Sequence, residues 1–180
     1  TALVTARGEV FTVPVGGGRT VNLSQHDGAR DHQAAFSPDG QTVAYLSDRN
    51  GEYGIWLQNA DGSSPAYQLT QHESGYRHTL RWSPDGKHLY FLFVDDRRKF
   101  IASVPFEGGE PTLHYPADDQ PGVVKSFAVG ANGTAVVATF GQRPAEIYRA
   151  QDGTALSDHN RELLDTIELA TVEGYDAVSK

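Results

Sequence analysis

Cysteine and methionine are both missing from the 180 residues. Without cysteine there is no disulfide framework and no thiolate metal site, and such a chain is expected in the cytoplasm. Long apolar runs are also missing: nothing approaches the roughly 18 consecutive apolar residues of a membrane span, so no membrane partner is expected. No charged-then-apolar leader opens the sequence. Positive charge is scarce, with 15 Lys and Arg against 23 Asp and Glu and a net charge of -8. Arg97-Arg98-Lys99 is the sole basic cluster that could make a local exception, and an acidic chain repels a phosphate backbone, so no nucleic-acid partner is expected.

What the sequence has is a repeated phrase. Phe36-Ser37-Pro38-Asp39-Gly40 returns as Trp82-Ser83-Pro84-Asp85-Gly86, and a worn copy follows as Val129-Gly130-Ala131-Asn132-Gly133. The terminal glycines lie 46 and then 47 residues apart. That spacing is near the roughly 40–45 residues of a four-stranded propeller blade. Proline sets φ for the first corner of a tight turn, Asp or Asn bonds its own backbone, and Gly takes the left-handed angle that sends the chain back antiparallel. Apolar runs flank each copy, so each phrase predicts a hairpin turn.

The runs after the turns, such as Thr42–Leu46, Leu89–Val94 and Ala135–Phe140, are apolar almost throughout. Strands that read this way belong to sheets covered on both faces, which stacked blades supply. The expected fold is therefore all-β: a β-propeller portion of about four consecutive four-stranded blades, near residues 1–26, 31–72, 77–118 and 123–160. The first blade is expected to lack its inner strand, and the chain reads as an excised piece of a longer one. An arc of this kind leaves its outer blade faces bare, and self-association through them is expected. Residues 161–180 leave the repeat as a linker. Leu163, Ile167 and Ala170 have helical spacing, so a short helix or turn is expected there, followed by an extended stretch over Thr171–Ser179.

Residues far apart in sequence become equivalent under the repeat. His26 and His72, like His32 and His78, are 46 apart and occupy the same place in successive blades, which argues against a shared metal ion. No metal, cofactor or catalytic residue is assigned. Gly16-Gly17-Gly18 occupies a hairpin position and is followed by no helix signal, so it is not read as a phosphate loop. The short turns share one rim of the blades. The opposite rim holds the inter-blade connections, with Arg30, His32, Arg77 and His78, and the loops Arg49–Tyr53, Asp95–Lys99 and Gln142-Arg143. Arg30, His32, Arg77, His78 and Arg97 are the candidate residues of a gating or docking face, because loops on one rim of a rigid scaffold commonly carry function.

The Ser-Pro-Asp-Gly turn, the apolar strand and the following Leu46-Ser47-Asp48-Arg49 resemble repeats of TolB and of the tricorn protease propeller, with Gly8–Pro14 and Gly28–His32 nearest the tricorn type. The later segment Pro144–Arg149, Leu156–Asn160, Leu163-Leu164 and Ile167–Ala170 resembles the last blade and exit linker of acylaminoacyl-peptidase-like members of the prolyl oligopeptidase family. That resemblance implies a serine peptidase whose propeller admits short peptides to an α/β-hydrolase domain, approached through Val172–Lys180. The nucleophile motif Gly-x-Ser-x-Gly is absent from this sequence. The resemblance thus implies a non-catalytic domain whose partners are the hydrolase domain and short peptides. A TolB-like or tricorn-like module that binds a protein or peptide is the alternative.

Overall fold

The structure, a computed structural model, describes residues 1–70, 75–95, 98–115, 122–140 and 143–169. Its strands form four antiparallel sheets in chain order. Blade one contains β1 (Ala2–Ala6), β2 (Glu9–Val13) and β3 (Val21–Asn22). Blade two contains β4 (Asp31–Phe36), β5 (Thr42–Ser47), β6 (Gly54–Asn59) and β7 (Tyr67–Gln68). Blade three contains β8 (Tyr76–Trp82), β9 (His88–Asp95), β10 (Arg98–Pro105) and β11 (Thr112–Tyr115). Blade four contains β12 (Gly122–Gly130), β13 (Gly133–Phe140) and β14 (Glu146–Arg149). Residues 43–46 and 89–94 fall in separate sheets, as second strands of neighbouring blades require. Blade one has three strands, as expected of a copy without its inner strand. Blade four also has three; where its fourth would run, a single bridge joins Tyr148 to Ala155.

Two-sided burial explains the nearly continuous apolar strands. On β5, Val43 and Tyr45 pack toward blade one with Val10 and Leu23, while Ala44 and Leu46 pack toward blade three with Leu89 and Phe91. On β9 the alternation repeats: Phe91 faces blade two and Leu92 faces blade four, against Val124, Phe127 and Val136. Each fully buried Leu or Phe contributes roughly 1.5–3 kcal/mol. Three such inter-blade cores are the main cohesive force, because each sheet alone has no apolar cover.

The turn phrase closes by side-chain chemistry. Ser37 Oγ donates to Asp39 Oδ1 at 2.5 Å and accepts from Thr42 N–H at 2.9 Å, while Asp39 Oδ1 accepts from Gln41 N–H at 3.0 Å. The second copy repeats these bonds at nearly the same lengths: Ser83 Oγ to Asp85 Oδ1 is 2.6 Å, His88 N–H to Ser83 Oγ is 2.9 Å, and Lys87 N–H to Asp85 Oδ1 is 3.0 Å. These bonds, from Ser first, hold the Asp39 and Asp85 carboxyls below the usual carboxylate range. The third copy lacks both side chains and becomes a shorter hairpin, with Gly130 paired to Gly133 around Ala131-Asn132. The short turns do share a rim, where Pro38, Asp39 and Asp61 line one hollow.

The inner strands β4, β8 and β12 all shift register once along their length, at His32/Ala35, His78/Arg81 and Val124/Ser126. In the first two, Gln33 and Thr79 have φ of 53° and 62°. Left-handed backbone at a β-branched threonine is an outlier, of a kind that costs on the order of 1–3 kcal/mol. The bulges also bring the blades together: Thr79 N–H donates to Gln33 Oε1, and Trp82 Nε1 donates to the Ala35 carbonyl at 3.2 Å.

After blade four, α1 (Arg161–Leu164) is one turn long and buries no residue. The short helix or turn expected from the spacing of Leu163, Ile167 and Ala170 is thus a single helical turn followed by turns through Ile167; Ala170 lies outside the described residues. Without an apolar face to bury, helix propensity alone does not sustain more turns. The extended stretch expected over Thr171–Ser179 lies outside the described residues.

Candidate functional site

The rim that joins blades two and three gathers four rings into a row. His32, from β4, meets Tyr53 edge-on at 4.9 Å; Tyr53 meets Tyr76 edge-on at 5.8 Å; and Tyr76 stacks on His78 at 5.6 Å. The row exists because the loop before β6 delivers Tyr53 to the seam between the two inner strands. Tyr76 is 46 % exposed, so the row presents aromatic surface to solvent. Partial burial holds both imidazoles below their ordinary pKa, aided by Arg30 beside His32 and by Lys99 beside His78. At neutral pH they are therefore uncharged, able to accept and donate one hydrogen bond each. Such a row can stack against apolar, aromatic or cationic side chains of an extended ligand.

The candidate residues divide into different environments. Arg30 is exposed, and its backbone N–H is capped by Asp48 Oδ1 at 2.7 Å. His32 and His78 are half-buried members of the aromatic row. Arg77 is 1 % exposed and belongs to the wall beneath the face, where it donates to the Tyr53 carbonyl at 3.3 Å and lies 5.3 Å from the Phe93 ring centre. Arg97 lies outside the described residues. Arg49, grouped with the recognition loops from sequence, is also part of the wall. Its guanidinium reaches buried Asp31 at 3.3 Å and Tyr45 Oη at 3.0 Å, and it covers the Trp56 ring at 4.4 Å. The Ser-Asp-Arg loop is thus a structural device: Ser47 Oγ accepts from Arg49 Nε at 2.9 Å, Asp48 caps Arg30, and Arg49 neutralises Asp31.

Sequence reasoning put Tyr53 on this rim only as the end of the loop Arg49–Tyr53 and singled out neither it nor Tyr76; the two have no repeat relation and meet only because adjacent blades pack. It also missed Gln33 and Thr79, although their 46-residue offset was a usable signal. Among the described residues, no group of three His, Cys, Asp or Glu side chains is placed to hold a metal ion, and no helix is long and apolar enough to cross a membrane.

A second arrangement holds the exit segment. Glu146, at the start of β14, accepts from Ser157 Oγ, from His159 N–H at 2.8 Å, from His159 Nδ1 at 3.1 Å and from Asn160 Nδ2 at 3.4 Å. The Ser157 and His159 bonds pull its carboxyl down to a pKa of about 2. The carboxylate therefore ties Leu156–Asn160 back onto blade four, in the place of a regular fourth strand.

These sheets, stacked face to face with inner strands side by side, define a propeller-type β domain. No family model and no curated protein matches the sequence. Solved structures do resemble the fold. Acylaminoacyl peptidase from Pyrococcus horikoshii aligns with a TM-score of 0.65 at 14% identity, over 89% of this chain and 24% of that one. TolB from Acinetobacter baumannii gives 0.55 at 17% identity, over 85% of this chain and 41% of that one. A puromycin-hydrolyzing peptidase of Mycobacterium tuberculosis gives 0.61 at 13% identity, over 82% and 23% respectively. The chain thus spans less than half the length of each of these three proteins. At these identities the likeness establishes the propeller-type fold alone.

Proposed function

We propose that this chain is the non-catalytic propeller portion of an acylaminoacyl-peptidase-like serine peptidase, limiting access to short peptides and docking an α/β-hydrolase domain. The observation that carries the reading is the Glu146 clamp. It joins the two segments, Pro144–Arg149 and Leu156–Asn160, whose sequences resemble that family's last blade and exit linker, so that blade and linker form one mechanical unit. The likeness in fold to the Pyrococcus horikoshii acylaminoacyl peptidase supports the same reading. Peptides would meet the row His32–Tyr53–Tyr76–His78 with Arg30 at its edge, and Arg77 would support the row from beneath.

The test is hydrolysis of N-acetylated and unblocked peptides by the chain and by its full-length parent. Turnover is expected from the parent only, with weaker discrimination by peptide length when Arg30 and His78 are replaced by alanine. Turnover by the repurified chain that a serine-directed inhibitor abolishes would refute the reading. The likeness to TolB favours a second reading, a TolB-like or tricorn-like module that binds a protein or peptide without belonging to a peptidase. A parent that binds peptides and hydrolyses none would select it.

A further inference from the structure

The paired bulges of β4 and β8 form a cleft of about 260 Å³ lined by Gln33, Ala34, Thr79, Leu80 and Arg81. Three features of this cleft suit an anion. A bulge takes backbone N–H groups out of the strand ladder, and left-handed residues in extended chain create the concave arrangement of N–H groups that binds anionic oxygen. Here the Thr79 N–H is aimed across the seam and is met by an amide oxygen, Gln33 Oε1, from an exposed side chain. Gln33 itself adopts φ of 53° in its own bulge, so two strained residues at equivalent places share this contact.

Charge points the same way. The cleft is lined by Arg81 and by no carboxylate. Arg81 is exposed, and its guanidinium donates to the Leu80 carbonyl at 2.9 Å, which leaves further N–H groups of the fork for a ligand. The exposed charged residues of β4, β8 and β12 are Arg81 and Lys125, while buried Asp31 is neutralised by Arg49. The surface charge of these strands is therefore positive in a chain whose net charge is -8. His78 stands next to the cleft, its Nδ1 3.0 Å from Thr79 Oγ1. His32 and His78, the two ends of the aromatic row, directly precede Gln33 and Thr79 in their strands, so the cleft adjoins the row.

We propose that this cleft is a carboxylate subsite: the C-terminal carboxylate of a short peptide takes the Thr79 N–H and the Arg81 guanidinium, displacing the Gln33 amide oxygen that holds the place when the site is empty. Planar pairing with guanidinium and capture by backbone N–H groups are the general means of recognising a peptide C-terminus. The inference rests on the reading of the chain as a handler of short peptides.

The experiment follows the Thr79 and Leu80 amides by 15N–1H NMR in the full 180-residue chain. Four probes are titrated: acetyl-trialanine as the free acid, the same peptide as its amide, acetyl-Ala-Glu-Ala amide, and acetate. The free acid should shift the Thr79 amide saturably and bind about tenfold tighter than the amide, the difference expected for one charge-assisted contact. Arg81→Gln should bring acid and amide to within about twofold, since that contact is then lost. Gln33→Ala should tighten binding of the acid by removing the internal competitor, which a purely inter-blade role for Gln33 would not do. Equal binding of acid and amide, or no response at Thr79, overturns the subsite even if both peptides perturb His32 and Tyr76, in which case peptide handling stands. Preference for the Glu-containing amide over the free acid overturns the assignment to the C-terminus. A response to acetate with none to any peptide leaves an anion site and removes peptide handling.

Discussion

Blades two and three make opposite choices of charge at one buried place. Asp31 and Arg77 are 46 residues apart and stand at equivalent positions of their inner strands, with 0 % and 1 % exposure. Asp31 is answered from within its own blade by Arg49, which is held in turn by Ser47, Tyr45 and the Trp56 ring. Arg77 is answered from the preceding blade, through the Tyr53 carbonyl, and by the Phe93 ring of its own blade. The position thus accepts a buried charge of either sign. The source of the partner decides the effect: the blade-two pair stiffens one sheet, whereas Arg77 fastens two sheets together.

That contrast can be broken directly. Asp31→Ala leaves the Arg49 guanidinium without its carboxylate in a packed site and is expected to cost about 3–5 kcal/mol, read from urea unfolding. A double replacement, Asp31→Asn with Arg49→Met, should recover part of that loss, and no recovery would show that the pair does not act as a unit. Arg77→Leu removes the bond to the Tyr53 carbonyl, and an acceptor left unsatisfied there is expected to cost about 1–3 kcal/mol, while the leucine can still pack on Phe93. Its distinguishing effect should be a broader transition as blades two and three uncouple. A transition as sharp as that of the unaltered chain would argue against the inter-blade role.

The turns sharpen the comparison at lower energy. Ser37→Ala and Ser83→Ala should each cost about 1 kcal/mol by thermal unfolding, since each removes the same Ser–Asp and Ser–backbone bonds. Unequal losses would mean that the two turns differ in ways their near-identical geometry does not reveal. Acidification gives the smallest expected effect. The folded-state pKa values of His32 and His78 lie below the ordinary 6.5, so their contribution to stability is fully present above about pH 6.5 and is lost as pH falls through the folded values. The Glu146 clamp has the other acid window: its contribution is present above the ordinary 4.5 and is lost as pH falls toward about 2. Hydrogen exchange should therefore show the seam of blades two and three loosening first and Leu156–Asn160 released only in stronger acid. The reverse order would contradict the assignment.

Much of the architecture was legible because its causes are short-range. Ser-Pro-Asp-Gly closes within a few residues, so its position located the hairpins before β5 and β9 correctly. The third copy, without Ser and Asp, was read as the same turn but is tighter, because only the chain direction and Gly133 remain to define it. The face of the candidate site was less legible. Arg30, His32 and Arg77 look alike in a list of polar residues on one rim, yet they are respectively exposed, half-buried and sealed.

By itself the sequence determined the period, the turn positions and the two-sided apolar strands, and with them a stack of antiparallel sheets. Turn chemistry acts between neighbours, and burial on both faces of every middle strand admits few other packings. Only the tertiary structure decided which polar side chains serve as wall and which as surface. Arg77 finds Tyr53 across 24 residues, Thr79 finds Gln33 across 46, and Glu146 finds His159 across 13. A buried polar group must be matched by whatever packing brings within hydrogen-bond reach, and that partner has no fixed spacing along the chain.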